Sequence, residues 1–79
     1  VSDRTKLLLK KKYGLVHVPS HHKVKDWYAL QKRERAGGVT DEDAGLAAAR
    51  SVFPYECKEE AVHDGPPVAE ILREFEPIQ

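Results

Sequence analysis

The chain has a single cysteine, Cys57, so no internal disulfide framework is available to it. It has no long apolar run. Leu7-Leu8-Leu9 is the longest strong one, against the roughly 18 residues that a membrane helix needs, so no membrane insertion is expected. There is no C-x-x-C pair, no G-x-x-x-x-G-K-[ST] phosphate loop, no internal repeat and no low-complexity tract. The first residues lack the apolar h-region and small-residue cleavage site of a secretory signal. Together with the lone cysteine, this leads to an expected intracellular location, cytosol or organelle interior.

What is present is a chain of 79 residues, 41% apolar and 33% charged, a balance that suits a folded rather than a disordered chain. The length allows one small domain, residues 1–79. A chain this short buries only about 60% of its unfolded surface, which leaves little room for an enclosed pocket.

Charge is laid out unevenly. Residues 1–36 hold ten Lys/Arg against three Asp/Glu, a net of +7, whereas residues 37–79 hold three against ten, a net of −7. The total of zero conceals this division. Such asymmetry points to an external partner for one half, or to the two halves meeting each other.

Helix signals recur along the chain. Ser2 can cap a first helix that carries Lys10, Lys11 and Lys12 in its last turn and stops at Gly14. Its periodicity is weak, because three consecutive leucines span more than one side, so residues 1–14 also read as a basic arm. Leu15-Val16-His17-Val18, bounded by Gly14 and Pro19, reads as a short extended segment. Ser20 offers a cap for a second helix over 21–36, with Val24, Trp27 and Tyr28 facing the core and Gly37-Gly38 ending it. Thr40-Asp41-Glu42-Asp43 resembles a capping box for a third. That helix has two apolar sides (Ala44, Ala48, Val52; Leu46, Ala49, Phe53), which implies a central helix closely approached by its neighbours. Residues 55–63 read as a short helix. Pro66-Pro67 opens a last one, in which Val68, Ile71, Leu72 and Phe75 form an apolar stripe and which Pro77 ends. The expected fold is mainly α, a small domain of three to four short helices with an extended segment at residues 15–18. The alternative is α+β, with residues 5–18 supplying one or two strands.

Catalysis is not expected. Glu56 flanks Cys57 directly, with Glu59 and Glu60 close behind, and negative neighbours raise a thiol pKa and oppose thiolate formation with His63 as base. Asp41, Glu42 and Asp43 are explained by the positive end of a helix dipole rather than by acid–base chemistry. No cofactor is expected. His17, His21, Cys57 and His63 are weak metal candidates, since zinc favours tight ligand pairs and His17 and His21 straddle Pro19.

The expected function is therefore non-catalytic: a small subunit or adaptor of a larger assembly that contacts a protein partner. The expected contact residues are Lys10, Lys11, Lys12, Lys23, Lys25, Lys32, Arg33 and Arg35. Opposite charges at the two ends also permit self-association. The alternative is nucleic-acid binding by residues 1–36, where Tyr13, Trp27 and Tyr28 interleave with the bases as stacking platforms would. A small zinc-dependent protein is the third reading.

Overall fold

The computed structural model describes residues 3–58 and 65–75. Four helices account for most of them: α1 (Asp3–Tyr13), α2 (His21–Ala36), α3 (Asp41–Val52) and α4 (Val68–Phe75). There is no strand among the described residues, so the fold is mainly α and the α+β alternative falls. Residues 15–18 form an irregular connector. Residues 54–56 form a turn where a short helix was expected, and residues 59–64 of that expected helix lie outside the described residues. So do the Ser2 cap and the Pro77 stop.

Local chemistry sets the helix ends. The Ser20 hydroxyl accepts from the Lys23 N–H at 3.3 Å, and the Thr40 hydroxyl accepts from the Asp43 N–H at 3.2 Å. Each satisfies a donor that the first turn leaves without a helical partner. Gly14 adopts φ 62°, a left-handed conformation that side chains with a Cβ resist. It lets the Leu15 N–H turn back to the Lys10 carbonyl at 3.0 Å, the long bond of a Schellman stop. The Lys58 N–H then reaches the Tyr13 carbonyl at 2.8 Å and ties the loop after α3 to the end of α1.

Helices α2 and α3 form the most extensive helix pair. The Gly37-Gly38 turn returns the chain, so α3 runs back along α2. Trp27, wholly buried, anchors the pair, and its indole N–H donates to the Gly45 carbonyl at 3.0 Å. Small residues let the neighbours approach: Ala44, Ala48 and Ala49 are buried. A Cβ on Gly45 would stand 2.6 Å from Tyr13 Oη and 2.8 Å from Val68 Cγ2. Tyr13 of α1, Val68 of α4 and Trp27 of α2 thus all close in on Gly45 in α3.

The expected core is refined in three places. Tyr28 is only half-buried and stacks on Phe75, ring centroids 4.2 Å apart and ring planes nearly parallel. Gln31, next on the same stripe, is buried instead, its amide directed at the Asp41 carbonyl at 3.4 Å. In α4, Val68 and Ile71 are wholly buried, while Leu72 and Phe75 pack at the edge of the core.

Residues 3–13, read either as a helix or as part of a basic arm, form a packed helix with Thr5, Leu9, Lys12 and Tyr13 buried. Lys12 is 2% exposed. Its ammonium lies 2.6 Å from Glu42 Oε1, and the other oxygen of the same carboxylate accepts the Val68 N–H at 2.6 Å. One carboxylate from α3 thereby holds a buried cation of α1 and caps the start of α4.

Candidate interaction surface

The basic half of the sequence divides into residues used inside the domain and residues left on its outside. Among the described residues, ion pairs that join it to the acidic half include Arg4–Glu70 (3.4 Å), Arg4–Glu74 (3.6 Å), Lys12–Glu42 (2.6 Å) and Arg35–Asp41 (2.6 Å). The exposed pairs contribute little to stability, about 0–1 kcal/mol each, but they fix where charge is cancelled. The two halves do meet each other, at the α1–α4 contact and at the α2–α3 turn.

Of the eight expected contact residues, Lys12 is corrected. A side chain so deeply buried and held by Glu42 offers nothing to a partner. Lys10 is half-buried, and Lys11, Lys23, Lys25, Lys32, Arg33 and Arg35 are exposed. Some of these are engaged locally. Lys23 Nζ donates to the Val52 carbonyl at 3.3 Å. Lys32 lies over the Tyr28 ring, 5.0 Å from its centroid, and its ammonium donates to the Tyr28 hydroxyl at 3.3 Å. Besides pairing with Asp41, Arg35 donates to the Val39 carbonyl at 2.8 Å. At least four of the eight positions, Lys12, Lys23, Lys32 and Arg35, are thus engaged within the domain.

Sequence reasoning missed a different set. On α1 the buried stripe is Thr5, Leu9, Lys12 and Tyr13, while Arg4, Leu7 and Lys11 turn outward and Leu8, between the two, packs against the core. Arg4, Leu7, Leu8 and Lys11 line a shallow depression of about 350 Å³. Leu7 is 49% exposed and Leu8 is half-buried. The spacing was readable in the sequence, but the leucine run gave no sign of which leucine would turn inward.

The aromatic residues that could serve as base-stacking platforms are used internally. Tyr13 and Trp27 are wholly buried and pack at a tilt, 6.3 Å between ring centroids. Tyr28 spends its ring face on Phe75. Burial also drives the Tyr13 phenol far above its ordinary pKa, so it is no acid–base group.

The metal candidates are dispersed. His17 and His21 are exposed, Cys57 is half-buried and His63 lies outside the described residues. The His17 backbone N–H donates to Glu56 Oε1 at 3.4 Å. Among the described residues, no group of three or more His, Cys, Asp and Glu side chains could hold a metal ion. The His21 imidazole is pushed below its ordinary pKa by desolvation and by neighbouring cations, Lys25 and Lys6 among them. That field disfavours a further positive ion there.

The Cys57 thiol pKa is raised, as the sequence suggested, but the cause differs. Burial raises it, while Arg50 acts in the opposite direction. The thiolate is the reactive form, so alkylation at pH 7 should be slow, and Cys57→Ser should leave fold and activity intact. Rapid modification of the native protein by iodoacetamide at pH 7 would contradict this.

Among the described residues, no helix is long and apolar enough to cross a membrane. Comparison with protein-family models, with curated proteins and with solved structures finds no match to this chain.

Proposed function

We propose that this protein is a non-catalytic interaction module, a small subunit or adaptor that docks onto another protein through its basic half. The observation that carries the reading is the way charge is shared on the fold. Carboxylates stand beside two of the exposed cations: Glu70 and Glu74 beside Arg4, and Asp41 beside Arg35. A phosphate backbone neutralised by a continuous array of cations would meet repulsion at each of those points. A protein surface of mixed charge can match such a mosaic, and charge complementarity then sets orientation and encounter rate. Burial of Tyr13 and Trp27 likewise weakens the nucleic-acid reading, because stacking needs an accessible ring face.

The test is the size of the native particle in extract of the source cells. Gel filtration at low salt should place the protein well above its own 8.9 kDa, and nuclease treatment should not change that position. Raising salt should release it, since exposed charges are screened beyond a Debye length of about 3 Å at 1 M. Elution as a free monomer at low salt would overturn the proposal. A shift on nuclease treatment would transfer the basic half to nucleic acid.

A further inference from the structure

We infer that α4 is a lid over the aromatic part of the core with the Glu42 carboxylate as its catch, so that protonation of this one group releases α4 while the α2–α3 pair stays folded. The inference holds whatever the basic half binds.

Two polar groups that would gain from water lie at the entry to α4. The first is the Lys12 ammonium, almost fully buried, with Glu42 Oε1 as its counter-charge at 2.6 Å. The chain leading into α4 lies against this residue: a Cβ on Gly65 would stand 2.6 Å from Lys12 Cα. The second is the Tyr13 hydroxyl, which is buried and has no hydrogen-bond partner among the described residues. The Trp27 indole N–H beside it is donated to the Gly45 carbonyl instead. A Cβ on Gly45 would touch both Tyr13 Oη and Val68 Cγ2, so this hydroxyl meets the first residue of α4 there. A buried polar group without a partner costs stability that hydration would recover.

One carboxylate stands against that tendency. Glu42 neutralises Lys12 with one oxygen and accepts the Val68 N–H with the other, both at 2.6 Å. Protonation removes the counter-charge and weakens the charge-assisted bond to α4 in a single step. The ammonium is then buried and uncompensated, and lifting α4 with the chain before it gives it water. The other ties of α4 are the exposed Arg4 pairs with Glu70 and Glu74 and the apolar contacts of Val68, Ile71 and Phe75, the last packed on Tyr28 and Trp27. A helix of eight residues is not stable alone in water, so an undocked α4 also unwinds. The α2–α3 pair keeps its two caps and the Trp27–Gly45 bond, and so forms a separate cooperative unit.

The groups facing Glu42 set the sign of the pH dependence. They are Lys12 and the Tyr13 phenol of α1 and the Val68 N–H of α4. Asp41 and Asp43 flank it on α3, and Arg35 of α2 is paired with Asp41. Lys12 and the Val68 N–H both favour the ionised carboxylate. Closure is therefore complete at neutral pH and is lost as pH falls below about 4.3, an ordinary glutamate value.

The test is amide hydrogen exchange of the full chain, read residue by residue by NMR. Glu42→Gln mimics the protonated carboxyl at pH 7. Its amides from Ile71 to Phe75 should lose protection by about tenfold or more, while those of α2 and α3 change little. Trp27 emission should move to the red as Phe75 leaves it. Lys12→Met/Glu42→Gln removes the cation that needs water and should regain most of the α4 protection. Tyr13→Phe, which deletes the orphan hydroxyl, should protect α4 better than the wild type. The wild type at about pH 4 should show the Glu42→Gln pattern. Unchanged α4 exchange in Glu42→Gln would overturn the inference. Equal loss of protection in α2 and α3, global unfolding included, would also overturn it, as would a double variant that recovers nothing.

Discussion

Glu42→Ala should destabilise the domain by about 2–4 kcal/mol, out of proportion to a residue on the exposed start of a helix. Its carboxylate faces a buried ammonium and an N-terminal backbone donor at once, each at 2.6 Å. Breaking a buried pair by removing one partner costs about 3–5 kcal/mol, and losing a helix cap about 0.5–2 kcal/mol. The sum is reduced because the Glu42 side chain is itself 46% exposed, so water already screens it. The partner substitution should behave differently. Lys12→Met keeps the buried aliphatic stem and removes a cation whose desolvation opposed folding. It leaves Glu42 hydrated and still accepting from Val68, so it should cost no more than about 1 kcal/mol. Urea unfolding followed by circular dichroism gives both values. Equal losses for the two variants would show that the carboxylate has no second task at α4.

Trp27→Ala should be the most damaging single change. Truncation of a buried tryptophan costs about 3–5 kcal/mol, and here it also removes the indole N–H that ties α2 to the Gly45 carbonyl of α3. Small domains have total stabilities near the lower end of about 5–15 kcal/mol, so a large fraction of the variant should be unfolded at 25 °C. Trp27→Phe separates the two contributions, since it retains an aromatic filler and deletes the N–H. It should lose less than the alanine variant, by at least 1 kcal/mol on the same order-of-magnitude scale. Because Trp27 is the chain's one tryptophan, helical circular dichroism must replace intrinsic fluorescence as the probe.

The parts of this fold that sequence could supply are those decided within a turn or two. Ser20 and Thr40 each need only a donor three residues on, and both cap as their types suggest. Val24 and Trp27 share a stripe whose period is local. The alanine-rich centre of α3 announces close neighbours because small side chains have few other reasons to recur there. The fate of Lys12 could not be read in the same way. Its burial depends on Glu42, thirty positions later, and no local pattern records that pairing. Once Lys12 turns inward, Leu7 must turn outward, so the exposure of Leu7 was hidden for the same reason. The charge division between the halves was legible as arithmetic. Its spatial meaning was not, since only the fold sets Arg4 beside Glu70 and Glu74, and Arg35 beside Asp41.

The most direct test of a protein-docking rather than a phosphate-binding basic half is titration of the wild-type chain with duplex DNA and with single-stranded RNA at two salt concentrations. At about 0.15 M salt neither should bind measurably, and at low salt any association should be weak and indifferent to sequence. Tight binding at physiological salt, weakening log-linearly as salt rises with a slope of several released counterions, would contradict the account and make residues 1–36 a nucleic-acid surface.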